Sequence, residues 1–254
     1  MIRLGRISYV NMAPLFFRLD AEVEEVAGVP TELNRALLAG EVDLAPISSI
    51  EYARHAERLR ILPRLCVSSE GAVDSIQLVS RAPLDSITSV ACTPESATSV
   101  ALVRILLPEA EQVPLGEPAD ARLLIGDAAL QSVFEDPTPH HDLGRLWLER
   151  TGLPMVYAVF ACAEPAPAGV AELEDALLAA HLAARERPEE LAREASERYG
   201  YPPGFLARYF EKLQYRFGPR ERAGLCTFFE LARDVGELAT VPDLRFLTTE
   251  AVAA

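Results

Sequence analysis

The sequence has very little lysine and no excess of positive charge. Of its 24 basic residues, Lys212 is the single lysine, so a Schiff-base mechanism, which needs a lysine amine, has one candidate residue. The 38 acidic residues leave a net charge of −14. Because a chain of that sign repels the phosphate backbone of nucleic acids, we do not expect a nucleic-acid partner.

Common catalytic and metal-binding motifs are also absent. The sequence contains no GxSxG, no glycine-rich phosphate loop and no HExxH, and its four cysteines form no CxxC pair. We expect all four cysteines to be free, buried thiols. His140 and His141 are adjacent rather than four residues apart, so they do not predict a metal site. These absences leave chemistry without a metal or cofactor, or binding alone.

Long hydrophobic runs are missing as well. No apolar stretch approaches the ~20 residues of a membrane-spanning helix, and residues 1–17 lack the uninterrupted apolar region of a signal peptide. We therefore expect a cytoplasmic protein without membrane contact. With 50% hydrophobic and 24% charged residues over 254 positions, the chain has the composition of a globular protein large enough for two lobes.

Short apolar runs alternate with amphipathic helical segments, which predicts βα units with parallel sheets. The predicted strands cover residues 2–10, 42–47, 61–67, 75–80, 89–93, 121–125 and 155–163. The predicted helices cover residues 31–40, 48–60, 97–107, 126–130 and 142–152, and the chain from Val170 to the C-terminus is helical with a break at Pro188. Thr31 is expected to cap the first helix, and Ser48 with Glu51 has the spacing of a capping box.

Small polar residues occupy the junctions where predicted strands lead into helices. Ligands of open α/β sheets bind at such junctions, because helix N-termini supply free N–H groups and the positive end of a dipole. The residues in question are Asn11, Ser48, Ser49, Thr98, Ser99, Gly126 and Asp127. Each also has a structural interpretation as a turn former, a helix cap or a first-turn residue. Together, four such junctions suggest a cleft that holds an anion from two sides.

Several longer strings, in order along the chain, resemble one known family. They are RISYVNMAPLF (6–16), GEVDLAPISSIEYA (40–53), ATSVALVRILL (97–107), LLIGDAAL (123–130), DLGRLWLERTGLPMVYAVFA (142–161) and the late segment YFEKLQYRFG with GLCTFFELA (209–232). These strings are similar to those of the MqnA family, the chorismate dehydratases that begin the futalosine route to menaquinone. The resemblance covers nearly the whole chain.

The resemblance implies an α/β fold of the type 2 periplasmic-binding-protein kind, with a ligand cleft between two lobes. Residues 1–80 plus 162–254 would form the first lobe and residues 81–161 the second. The implied reaction is loss of water from chorismate to give 3-[(1-carboxyvinyl)oxy]benzoate, with no cofactor and no metal. The oligomeric state is left open.

In the light of this resemblance we assign roles to the junction residues. Ser48, Ser49, Thr98, Ser99 and Gly126, with nearby backbone amides, are expected to hold the two carboxylates of chorismate. Asn11, an amide with a donor and an acceptor, would orient the C4 hydroxyl or a carboxylate. Two groups are candidates for the base that removes the C3 proton: Asp127, and the enolpyruvyl carboxylate of the substrate itself.

Two alternatives stay open from the sequence. The MqnD-type enzyme of the same pathway has a similar fold, although the NMAPL turn of residues 11–15 resembles MqnA instead. A non-enzymatic protein that binds a small anion would also suit the fold, because a fold does not determine a function.

Overall fold

The first β-strand begins at the second residue, and its apolar side chains Leu4 and Ile7 are buried in the core. The structure is a computed structural model and describes residues 1–248. The last part of the predicted C-terminal helical region, residues 249–254, lies outside the described residues. Eleven strands occur in the described part: β1 (Ile2–Ile7), β2 (Val23–Gly28), β3 (Ala45–Ser48), β4 (Leu59–Ser69), β5 (Ile76–Ser80), β6 (Ser89–Cys92), β7 (Glu111–Pro114), β8 (Ala121–Ile125), β9 (His140–Asp142), β10 (Met155–Ala163) and β11 (Gln214–Arg216).

Ten α-helices cover these strands. They are α1 (Ala13–Phe16), α2 (Pro30–Leu38), α3 (Ser49–Arg54), α4 (Ala97–Leu106), α5 (Gly126–Glu135), α6 (Leu143–Thr151), α7 (Val170–Glu186), α8 (Pro188–Tyr199), α9 (Pro203–Phe210) and α10 (Pro219–Asp234). The predicted break at Pro188 is confirmed, because proline lacks the N–H that would continue α7 and instead begins α8. Within residues 1–248, no helix has both the length and the hydrophobicity needed to cross a membrane.

Two sheets define two lobes. The first lobe contains the four-stranded sheet, in the order β11-β4-β10-β3, beside the parallel pair β1-β2. The second lobe contains a five-stranded sheet in the order β7-β6-β8-β5-β9. Parallel pairing is confirmed for β1-β2 and for β7-β6-β8, but every pair in the four-stranded sheet is antiparallel. The long strands β4 and β10 run in opposite directions there, so the prediction of purely parallel sheets is wrong.

The chain crosses between the lobes twice. Strand β5 already belongs to the five-stranded sheet, and β10 belongs to the four-stranded one. Since β4 ends at Ser69 and β9 at Asp142, sheet membership changes within residues 70–75 and within residues 143–154. The division of the chain at residues 80 and 161 stays a prediction, and we propose these two segments as the crossovers.

Four local predictions need correction. The helix that was expected to reach residue 60 ends at Arg54, because β4 starts at Leu59, where it pairs with Ala163 of β10. Strand β1 stops at Ile7 rather than at residue 10. The residue before α2 is Val29, and not Thr31, since Pro30 already occupies the first helical position. Residues 214–216 form an edge strand of the four-stranded sheet inside a segment predicted to be helical.

The four cysteines are free thiols, as predicted. Cys66 and Cys162 are buried in the first lobe, but Cys92 and Cys226 are partly exposed, so the prediction of burial is wrong for these two. Burial raises the pKa of the Cys66 thiol to about 12, which keeps that thiol protonated and unreactive at neutral pH.

Candidate functional site

A partly open cavity lies between the two lobes, at the ends of strands from both sheets. Its volume, measured as the space open to the centre of a water molecule, is about 50 Å³. The polar part of its wall consists of Tyr9, Asn11, Ser48, Ser75, Ser96, Ser99, Gly126 and Tyr157. Four of the seven site residues predicted from the sequence are therefore brought together: Asn11, Ser48, Ser99 and Gly126.

Asn11 lies in a 3-10 turn, Val10–Met12, that follows β1 and leads directly into α1. The backbone carbonyl of Asn11 accepts a hydrogen bond from the Tyr215 hydroxyl. Its side-chain oxygen, Oδ1, is buried and has no hydrogen-bond partner within the described part of the protein. A buried acceptor without a partner is costly, so this atom is suited to receive a donor from a ligand.

Ser48 is the last residue of β3 and faces Asn34 of α2 rather than its own helix. Asn34 Nδ2 donates to Ser48 Oγ at 3.1 Å, and Asn34 Oδ1 accepts from the Ser48 backbone N–H at 2.9 Å. The predicted capping box of Ser48 with Glu51 is wrong, because the Ser48 side chain makes no capping bond to α3. Since Ser48 Oγ is an acceptor for Asn34, its O–H remains available to donate into the cavity.

A pair of serines stands at the start of α4. Ser96 caps this helix, accepting from the Ser99 backbone N–H at 3.2 Å, and the two hydroxyl oxygens lie 2.9 Å apart. One O–H of the pair is used in that mutual hydrogen bond, so the other is left as a donor. The positive end of the α4 dipole lies at the same place and favours a negative ligand group.

Gly126 begins α5 with a φ of +55°, in the left-handed region that favours glycine. The Tyr9 ring packs directly against it across the gap between the lobes. A Cβ atom at this position would lie only 2.5 Å from Cδ2 of Tyr9. The Tyr9 hydroxyl donates to Glu95 of the second lobe at 2.8 Å, so Tyr9 closes one side of the cavity.

The other three predicted residues, Ser49, Thr98 and Asp127, lie just outside the cavity wall and make structural hydrogen bonds. Ser49 Oγ donates to the backbone carbonyl of Val156 at 2.8 Å. Thr98 Oγ1 accepts from the Ile50 N–H at 3.3 Å, and Asp127 Oδ1 accepts from the Val10 N–H at 3.0 Å. Asp127 is not the first residue of α5, which starts at Gly126, so it does not act as the N-cap.

Sequence reasoning did not identify Tyr9, Ser75, Ser96 and Tyr157. Ser96 could have been found, because it stands directly before the predicted helix at residue 97 and three residues before Ser99. Tyr157 could not, since it lies inside an apolar strand. Its hydroxyl is 2.8 Å from Ser69 Oγ, and its pKa is raised by complete burial, so the phenol stays neutral.

The cavity wall is electrically neutral. Among residues 1–248, no charged side chain lines it, and its polar groups are hydroxyls, one amide and backbone groups near helix ends. No cluster of three or more His, Cys, Asp or Glu side chains in the same range has the arrangement of a metal site. His140 lies on β9, where its Nε2 is 2.9 Å from the Ser132 hydroxyl. The arrangement can bind a small polar anion through neutral donors.

Comparison with known proteins finds one family that matches most of the chain. The sequence profile of the family described as "Menaquinone biosynthesis" matches residues 2–234. A protein of Thermus thermophilus named chorismate dehydratase is 38% identical over 89% of this chain and 93% of its own length. A second protein of that name, from Campylobacter jejuni, is 34% identical over 63% of this chain and 67% of its own.

Solved structures support the fold assignment. An Archaeoglobus fulgidus protein has a TM-score of 0.79 at 20% identity, with coverage of 93% of this chain and 98% of that one. The periplasmic aliphatic sulphonate binding protein of Escherichia coli has a TM-score of 0.68 at 14% identity, with coverage of 97% and 92%. At such identities these likenesses concern the fold alone. They confirm the predicted α/β fold of the periplasmic-binding-protein type.

Proposed function

The chain belongs to the menaquinone biosynthesis family, and we propose that it is a chorismate dehydratase whose reaction takes place in the cavity between the lobes. The relatives that match over most of the chain are named for this activity, which favours it over the MqnD-type enzyme and over simple binding. The observation that carries the assignment of the site is the partnerless Oδ1 of Asn11 in a neutral, hydroxyl-lined cavity. A biosynthetic enzyme works where its substrate is made, so we place the reaction in the cytoplasm.

The reaction removes a proton from ring carbon C3 and a hydroxyl from C4, which together leave as water. Breaking these C–H and C–O bonds completes a benzene ring, so the overall step is downhill. The C3 proton is acidified through the diene by the ring carboxylate. Negative charge therefore builds up on that carboxylate during proton removal, and fixed hydrogen-bond donors stabilise it there.

The hydrogen-bond donors for the two carboxylates are cavity hydroxyls whose O–H is not used in a hydrogen bond within the protein. Ser48 has its O–H available because its oxygen already accepts from Asn34, and the Ser96–Ser99 pair has one O–H available. The N-termini of α4 and α5 add their dipoles from the second lobe. Neutral donors at helix ends suit a dianion even in a chain with a net charge of −14.

Asn11 orients the leaving group. Its Oδ1 can accept a hydrogen bond from the C4 hydroxyl and fix the orientation of the C4–O bond relative to the ring. The Tyr215 hydroxyl bonds to the Asn11 carbonyl, and this contact fixes the backbone of the turn. An amide is neither acidic nor basic at neutral pH, so Asn11 positions the substrate and transfers no proton.

The enolpyruvyl carboxylate of the substrate is the base in this proposal. Among residues 1–248, no carboxylate, imidazole or amine of the protein lines the cavity, so the proton acceptor in this proposal comes from the substrate itself. Once this carboxylate has taken the C3 proton, the resulting carboxylic acid can transfer that proton to the C4 hydroxyl as the hydroxyl leaves. The protein supplies the geometry, the hydroxyl donors and a site without bulk water.

The lobes must open to admit the substrate. The cavity of about 50 Å³ has room for a few water molecules, whereas pockets for drug-sized ligands typically have ~300 to 1,000 Å³. We infer that the lobes separate to admit chorismate and then close around it less tightly than they stand in this structure.

The activity can be tested with the purified protein and chorismate. We expect a product lighter by one water molecule in mass spectrometry, together with aromatic proton signals in NMR spectra. Unchanged chorismate that nevertheless raises the melting temperature would refute the enzyme and favour a binding protein.

Asn11→Ala tests the site, with Gln131→Ala on an exposed face of α5 as the matched control. We expect Asn11→Ala to lower kcat at least a hundredfold with an unchanged melting temperature, because the leaving group loses its orientation. The control should behave as the unaltered enzyme. An Asn11→Ala enzyme with normal kcat would place the reaction elsewhere.

A further inference from the structure

Asp127 is bonded to the first lobe at both its side chain and its backbone, although it belongs to α5 of the second lobe. Its Oδ1 accepts from the Val10 N–H at 3.0 Å, and its backbone carbonyl accepts from the Tyr201 hydroxyl at 2.8 Å. Val10 directly precedes Asn11 in the same 3-10 turn. The carboxylate thus reaches across the cleft to the backbone beside the residue that orients the leaving group.

Neighbouring contacts act on the same turn from the same side. The Tyr9 ring lies on Gly126, and the Tyr9 hydroxyl bonds to Glu95 of the second lobe. Tyr9 and Val10, the two residues before Asn11, are therefore held by the second lobe through a ring contact, a hydroxyl and a backbone N–H. All three contacts join groups on opposite lobes, so they exist only when the lobes are closed.

We propose that Asp127 is a positioning residue that fixes the Asn11 turn when the lobes close, and that it is not the base of the reaction. The carboxylate lies outside the cavity wall, and one of its oxygens is committed to the Val10 N–H. Closure thereby does two things at once: it encloses the substrate and it sets the position of Asn11. This inference rests on the proposed function of the cavity.

Two substitutions separate positioning from proton transfer. Asp127→Asn keeps an oxygen where Oδ1 lies, so the hydrogen bond from Val10 survives while the ability to take a proton is lost. Asp127→Ala removes both. We expect Asp127→Ala to lower kcat/KM about tenfold or more, and Asp127→Asn to retain kcat/KM within about threefold. The pH profile of Asp127→Asn should match that of the unaltered enzyme.

Tyr201→Phe provides an independent variant that leaves the carboxylate untouched. It removes only the hydroxyl that bonds to the Asp127 carbonyl, and we expect KM to rise about threefold with kcat little changed. Compaction on adding chorismate, followed by small-angle X-ray scattering, should be weaker in Asp127→Ala than in Asp127→Asn. That measurement depends on binding and does not require turnover. It therefore tests the positioning role even if the unaltered protein does not dehydrate chorismate.

The outcomes are decisive in both directions. If Asp127→Asn is as inactive as Asp127→Ala while both fold normally, the carboxyl group itself is required and the positioning role is wrong. If Asp127→Ala retains full kcat/KM and full compaction, the bond to Val10 does not hold the turn. Failure of the unaltered protein to turn over chorismate would instead refute the proposed function.

Discussion

Replacing Gly126 with alanine tests lobe closure separately from stability. The substitution has two consequences of different origin. First, a φ of +55° at position 126 costs an alanine ~1 kcal/mol, whether the lobes are open or closed. Second, the new Cβ would lie 2.5 to 2.7 Å from three ring atoms of Tyr9, where ~3.5 to 4.0 Å is normal. Because Tyr9 and Gly126 lie on opposite lobes, this second cost arises only on closure.

The magnitude of the second effect follows from the geometry. The Tyr9 ring must move by roughly 1 Å to restore a normal contact. Its hydroxyl is 2.8 Å from Glu95, so such a shift stretches the hydrogen bond beyond useful length. Loss of a hydrogen bond to a charged group is worth ~1.5 to 3 kcal/mol. We therefore expect kcat/KM for chorismate to fall at least tenfold in Gly126→Ala, mainly through a higher KM.

Gly152→Ala is the matched control. Gly152 ends α6 with a φ of +70°, and a Cβ there would meet no atom within 4 Å. Both variants should lose similar stability, with melting temperatures ~2 to 4 °C lower, since that loss comes from the backbone alone. Only Gly126→Ala should lose kcat/KM, measured by the appearance of product under steady-state conditions. Equal kinetics in the two variants would refute the closure argument.

Three further predictions concern single side chains. Tyr9→Phe keeps the ring on Gly126 and loses only the bond to Glu95, so kcat/KM should fall about tenfold or more in steady-state assays, as in Gly126→Ala, while the melting temperature stays constant; a lower melting temperature with normal kinetics would argue against it. Asn34→Leu removes both hydrogen bonds to Ser48 in a buried site, and urea denaturation should show a free energy of unfolding lower by ~2 to 3 kcal/mol; unchanged unfolding would contradict the assigned contacts. Burial raises the pKa of Asp127 more than the Val10 hydrogen bond lowers it, so native stability is lost as pH rises through this folded-state pKa. Asp127→Asn should consequently melt at a higher temperature than the unaltered protein at pH 7, and the gap should close below about pH 4, near the ordinary pKa of the group; a constant gap would contradict the direction of the shift.

The sequence was sufficient to predict the junctions that surround the cavity. Asn11, Ser48, Ser99 and Gly126 come from four separate strand ends, and the structure brings all four into one wall. The physical reason is general, because strands of an open α/β sheet deliver the residues that follow them to the same edge. Junction positions can be recognised from the change of hydrophobic periodicity alone.

The direction of individual side chains could not be predicted in the same way. Ser48 and Ser49 are adjacent, yet only Ser48 faces the cavity, while Ser49 points to the backbone of Val156. The same holds for Thr98 and Ser99, since neighbouring residues of a helix point about 100° apart. The sequence places such a pair at the cleft, but the rotation of the helix against the other lobe decides which member faces the cavity. That rotation depends on packing across the two lobes.

The neutrality of the cavity is consistent with a substrate carboxylate as the base. An arginine beside the enolpyruvyl carboxylate would bind it more tightly, but an opposite charge at close range lowers the pKa of a carboxyl group and makes it a weaker base. In the proposed site, neutral hydroxyls such as those of Ser48 and Ser99 would bind the dianion with less effect on its basicity. Removal of water strengthens each of these hydrogen bonds and restores affinity without a cation. Lobe closure and a neutral wall thus complement each other in this proposal. The neutral wall preserves the basicity of the enolpyruvyl carboxylate, and closure strengthens the hydrogen bonds from neutral donors enough to bind the dianion.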